Sequence, residues 1–242
     1  MKSTRSNAVL VAAIIAGVAV LCALGTWQVK RLIWKQQLLA TIDQRIASDP
    51  KPLSEIIATA KDGGGIEYMP VSVTGQFLHD REQHFFATHK GATGWYIYTP
   101  LQLADGSGVV FVNRGFVPYD RADPKTRPES LPEGEQAITG LARLPLDAKP
   151  GFLVPENEPA KNEYYWKDLA AMTVAAGVEG ETVVPLFVDA GPYSDPSKLP
   201  IGGVTNIELP NNHLQYAVTW YGLALALAAV SGVFLWRRLR SA

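Results

Sequence analysis

Apolar residues fill two long runs at the ends of the chain and alternate with polar ones between them. From Ser6 to Val29 no residue is charged, and AVLVAAIIAGVAVLCALG, from Ala8 to Gly25, approaches the roughly 20 apolar residues that cross a bilayer as a helix. The second run, from Leu209 to Trp236, contains YAVTWYGLALALAAVSGVFLW, and only His213 in it can carry charge. Two transmembrane helices are expected, over residues 8–27 and 214–236. For the first, a cleaved signal peptide is the alternative, because Lys2 and Arg5 precede the run. The run is long for such a segment, and no small-x-small site ends it.

Past Trp27 the helical pattern continues as QVKRLIWKQQLLATIDQRIAS, with Trp27, Arg31, Trp34, Lys35 and Leu38 near one face, until Pro50 and Pro52 end it. The periodicity then changes from helical to alternating. Val71, Val73 and Phe77 alternate with polar residues, WYIYTPLQL is aromatic and β-branched, and GVVFVNRGFV follows a DGSG turn. Ala137 to Leu144 and Val183 to Asp189 are further strand candidates. Tyr119 to Pro159 is rich in Pro and acids and reads mainly as loop, and Asp168 caps a short helix running to Ala176. The sum is an α+β domain over residues 28–210, an antiparallel β-sheet or small barrel with helices, flanked by the two spans.

Small residues recur four apart in both spans: Ala12 and Ala16, Ala13 and Gly17, then Ala224, Ala228 and Gly232. Such stripes let helix backbones approach, so the spans are expected to pack on each other or on a partner's helices. Alanine-rich helices also produce this pattern by chance.

Charge adds orientation. The chain holds 22 basic and 23 acidic residues. Five of the bases and none of the acids lie outside the runs, which leaves 17 bases against 23 acids between them, a net of −6. An acidic domain between basic tips is a poor nucleic-acid binder. Arg237, Arg238 and Arg240 close the second run, which puts the C-terminus in the cytoplasm, and two spans put the N-terminus there too. The first span alone is ambiguous, since Lys30, Arg31 and Lys35 outnumber Lys2 and Arg5. The single cysteine, Cys22, supports neither a disulfide framework nor a cysteine-based metal site.

Enzyme signatures are sparse. His79, His84 and His89 recur five apart, which fits neither a helix face nor one face of a strand. The glycines from Gly63 to Gly65 precede no helix and lack a phosphate-loop lysine, so they read as a turn. There is no G-x-S-x-G or H-E-x-x-H element. A membrane-anchored enzyme with a dispersed site would need acids or histidines converging in one pocket.

Several blocks, in order, carry a resemblance: GTWQVKRLIWKQQLL, VTGQF, GWYIYTPLQL, VFVNRGFVP, FLVPENEP followed by YYWKDLAAM, and NNHLQYAVTWYGLALAL. Together with the two-span pattern they resemble the surfeit-locus family of cytochrome c oxidase assembly factors over nearly the whole chain. The resemblance implies a chaperone rather than an enzyme, one that binds haem a transiently and aids its insertion into subunit I of an aa3-type oxidase. Subunit I is the expected partner, with haem a synthase and other assembly factors as further candidates. The alternative is a haem-independent membrane scaffold for oxidase subunits. Eukaryotic members carry a mitochondrial presequence, and here the first span begins almost at Met1. The expected setting is therefore a bacterial inner membrane, with both termini cytoplasmic and the main domain periplasmic.

The resemblance also nominates residues. His213 stands in the Asn-x-His-Leu-x-Tyr-x-x-Thr-Trp block as the expected haem iron ligand. Neutral imidazole is a common axial ligand, and an ionisable group at a membrane helix calls for a reason. The plainer reading is an interfacial histidine bonded to water or to Asn211. Ala217, Trp220 and Ala224 lie within about 40° of His213 on a helix, a face that suits a flat macrocycle or packing on the first span. Tyr216 could bond a haem substituent or, like Trp27, Trp220 and Trp236, anchor the membrane interface. Antiparallel spans bring Trp27 to Trp34 level with His213, so Arg31 is a candidate partner for a haem propionate. Arg114 is a second candidate; for each, the alternative is an ion pair within the protein. Gly75 and Gly115 read as sites of strand bending or close packing.

Overall fold

The structure, a computed structural model, describes residues 2–193, 195, 198–205 and 211–240, with side chains from residue 8 onward except at 239. The expected domain end at 210 and the start of the second apolar run at Leu209 lie outside the described residues. The chain divides into two compact units, Met1–Ile42 with Ile207–Ala242, and Asp43–Asn206.

The larger unit is built from β1 (Lys51–Pro52), α2 (Leu53–Lys61), β2 (Pro70–Phe77), β3 (Gln83–His89), β4 (Ala92–Leu103), β5 (Val109–Pro118), β6 (Glu135–Arg143), β7 (Glu163–Tyr164), α3 (Leu169–Ala175) and β8 (Val183–Ala190). Its strands run in the order β1-β2-β6-β8-β5-β4-β3-β7, and a further pairing of β2 with β4 closes β2, β6, β8, β5 and β4 into a barrel. All pairings within that ring are antiparallel except β5 with β8.

The barrel interior holds Val71, Val73, Leu101, Val110, Val112, Leu186 and Val188, with Leu53 and Ile56 of α2 and Ile66 packed into the same cluster. Alternate residues of β5 and β8, Phe111 and Phe187, face the other way and meet Met172 and Ala176 of the α3 segment. A strand covered on both faces needs apolar side chains at successive positions, which accounts for the unbroken run at Val109 to Val112. The Asp168 carboxylate accepts from the Ala171 amide at 3.0 Å and so starts α3, as its sequence position suggests.

Each expected strand is present, and Gly75 and Gly115 do sit at close approaches. A Cβ on Gly75 would lie 2.2 Å from the Gln102 carbonyl oxygen, and Gly115, with φ +124°, would put one 2.1 Å from that of Ile201. The structure adds β1, α2, β3 and β7. Two of the spaced histidines, His84 and His89, fall in β3 and mask its apolar positions, the short helix α2 is too brief to show a period, and β1 and β7 are two residues each.

The smaller unit is a pair of helices, both long and apolar enough to cross a membrane: α1 (Lys2–Ile46) and α4 (His213–Arg240). As the pattern past Trp27 implies, α1 runs unbroken beyond the apolar segment, and its last turn lies in the larger unit. The contacts of the pair run antiparallel. Gln28 meets His213, Thr26 meets Tyr221, and Gly17 lies against Leu227. The seam uses part of the expected stripe. Gly17 and Ala224 lie in it, with Gly25 and Ala217, and it advances by about seven residues, as in packed antiparallel helices. Ala12, Ala13, Ala16 and Ala228 are exposed, and a Cβ on Gly232 would meet nothing within 4 Å.

Candidate functional site

His213 opens α4, half-buried, and its Nδ1 lies 2.8 Å from the side-chain oxygen of Gln28 on α1. An amide oxygen only accepts, so Nδ1 carries the ring proton and donates it. The lone pair is then on Nε2, for which no partner occurs among the described residues. An acceptor on one ring nitrogen that fixes the tautomer and points the other nitrogen outward is how metal-binding histidines are held. Gln28 is itself 8% exposed, and the bond to His213 satisfies its buried oxygen.

The remaining candidates divide between the units. On α4, Tyr216 is exposed and Trp220 half-buried. Ala217 and Ala224 are buried, so the alanine face is not open to a macrocycle and serves packing, the other use the sequence allowed. On α1, Arg31 lies one turn past Gln28 with its guanidinium 4.5 Å from the Trp34 ring centre.

Arg114 belongs to the β domain, where it is buried. It donates to the Ser130 carbonyl and, at 3.3 Å, to His79 Nδ1, and it stacks 4.9 Å from the Phe77 ring. His79 Nε2 donates to the Pro132 carbonyl at 2.9 Å, which leaves Nδ1 free to accept and the ring neutral. Burial pushes the His79 pKa down, and the Arg114 charge beside it acts in the same direction. Burial likewise lowers the pKa of Arg114.

Sequence reasoning missed the partner of His213 and the charges buried in the β domain. Gln28 carried a signal as a polar residue ending an apolar run. Arg127, fully buried, pairs with Glu82, also buried, and Asp189 accepts from Asn113, Arg143 and Thr205. These pairs join residues far apart in sequence, and no local pattern marks them. Among the described residues, no group of three or more His, Cys, Asp or Glu side chains is placed to hold a metal ion.

A closed β domain together with a pair of helices able to span a membrane, on which His213 is held in one orientation, defines a membrane-anchored binding or assembly protein. The model of the SURF1 family matches residues 15–225. The chain is 37% identical over 229 residues to human surfeit locus protein 1, covering 88% of this chain and 71% of the relative. Against the mouse protein of that name the identity is 36%, covering 88% and 70%, and against the Drosophila melanogaster SURF1-like protein it is 35%, covering 89% and 72%. The chain belongs to the SURF1 family, a family of cytochrome oxidase assembly factors and not of enzymes.

Proposed function

We propose that this protein binds haem a transiently and aids its insertion into subunit I of an aa3-type cytochrome c oxidase, with His213 as the iron ligand. The observation that supports this reading is the Nδ1–H bond from His213 to Gln28, which leaves Nε2 unpartnered. Haem a, when bound, supplies the iron centre that the oxidase requires. This chain's residues bind and orient it: His213 offers Nε2, Tyr216 and Trp220 lie within two turns on the same helix, and Arg31 presents a guanidinium fork to a propionate. Arg114 was a further candidate for that task; its surroundings carry a separate inference below.

In this reading the helices lie in a bacterial inner membrane, with the arginines after Trp236 cytoplasmic and the β domain periplasmic. Subunit I is the partner, and haem a synthase and other assembly factors are its further contacts. The test is to purify the protein from cells that also make haem a synthase and record its visible spectrum. A haem spectrum lost in His213→Ala supports the assignment. A haem-free preparation that still co-purifies with subunit I when haem synthesis is blocked favours the scaffold reading instead.

A further inference from the structure

Two buried arginines of the β domain share one buried carboxylate. Glu82 pairs directly with Arg127, whose other N–H groups reach the Ser130 hydroxyl and the carbonyls of Arg121 and Ala122. Arg114, 3% exposed, has no carboxylate within ion-pair distance among the described residues. Its bonds go to neutral acceptors, the Ser130 carbonyl, His79 Nδ1 and the Tyr193 hydroxyl, and its buried Nε has no partner among the described residues. A buried cation left in this state is costly unless an anion joins it.

Arg114 lines an open cavity of about 410 Å³ with Phe77, Pro132, Ile138, Tyr193 and Lys198. The two acids at its edge are already engaged: Glu129 lies 3.9 Å from Arg121, and Asp195 lies 4.0 Å from Lys198. Arg114 thus remains as the charge that the cavity does not neutralise.

We propose that this cavity binds a small organic carboxylate. The carboxylate takes a remaining Nη hydrogen of Arg114, and its apolar body lies against Phe77, Ile138 and Pro132. The Tyr193 hydroxyl, beside Arg114, is a further donor. One positive charge beyond what Glu82 offsets matches a monoanion, and the acids Glu129 and Asp195 at the edge disfavour a dianion such as phosphate.

The test uses the full chain in detergent, purified without haem, so that it reads independently of the haem proposal. Hexanoate, inorganic phosphate and hexylamine are titrated by saturation-transfer NMR, with circular dichroism and the unfolding midpoint recorded for every variant. Saturable hexanoate binding, weakened about tenfold in Arg114→Gln and about threefold in Lys198→Gln, is the expected result. Should Arg114→Gln fail to fold, Tyr193→Phe and Lys198→Gln carry the comparison. The assignment is overturned by no saturable hexanoate binding up to about 10 mM, by binding that folded variants leave unchanged, or by phosphate or hexylamine binding more tightly than hexanoate.

Discussion

The imidazole of His213 and the amide of Gln28, 185 positions apart in the chain, meet at 2.8 Å where α1 passes the start of α4. This contact fixes three things together: the antiparallel register of the helix pair, the tautomer of the ring, and the direction of its free nitrogen. An interfacial histidine needs only water. One whose Nδ1 proton is held by a buried amide oxygen has a defined orientation.

If that orientation serves iron ligation, removing the acceptor should weaken haem binding without removing the ligand. Gln28→Leu is expected to reduce haem affinity about 10- to 100-fold, while Gln28→Glu, which keeps an acceptor, holds close to the parent value. Haem titrations of the purified variants measure this. A Gln28→Leu protein that binds like the parent would separate the contact from ligation.

The seam between the helices depends on Gly25, where a Cβ would come within 2.9 Å of the Tyr221 ring. Gly25→Val should destabilise the helix pair by about 1 to 3 kcal/mol, as overpacking does elsewhere. Gly222 has nothing within 4 Å of its Cβ position, so Gly222→Val controls for the added bulk. Thermal unfolding in detergent should show a lowered midpoint for Gly25→Val alone, partly restored by adding Tyr221→Ala. Equal midpoints for the two valine variants would place the seam elsewhere.

Inside the β domain, Glu82 is the buried carboxylate that offsets Arg127 directly and Arg114 at longer range. Glu82→Gln leaves both guanidiniums without it and should cost about 3 to 5 kcal/mol in denaturant unfolding. Combining it with Arg127→Met should recover part of that loss, because one of the stranded charges leaves as well. A Glu82→Gln protein within about 1 kcal/mol of the parent would mean that solvent reaches the pair.

What could be read from the sequence follows from range. The two apolar runs, the helix past Trp27, the strands and the Asp168 cap are set by residues a few positions apart, and each was legible. The strand β3 was hidden because histidines occupy its half-buried positions, and α2 because nine residues give no clear period. The helix seam was legible in part, through Gly17 and Ala224: small residues four apart mark where helices can approach, while Leu227 and Tyr221 decide which of them they use. At the candidate site the sequence pointed to His213 but not to its pairing with Gln28: a polar residue ending an apolar run marks Gln28, while a hydrogen bond across 185 positions has no local pattern.

The pH response of the β domain should be governed in part by His79. Its Nε2 proton is held by the Pro132 carbonyl, and its Nδ1 accepts from Arg114, so a second proton would remove that acceptor and set a cation against a cation. Glu82 pulls the other way and Arg127 adds to the repulsion, but burial dominates and the folded pKa lies below the ordinary value of 6.5. Below pH 6.5 the unfolded chain therefore binds more protons than the folded one, and stability falls as the pH drops toward the folded pKa. The slope contributed by this one group cannot exceed about 1.4 kcal/mol per pH unit. His79→Gln, whose amide can donate to Pro132 and accept from Arg114 without titrating, should flatten the dependence below pH 6.5. Denaturant unfolding across that range, with the parent and the variant showing the same slope, would show that His79 is not the group that titrates.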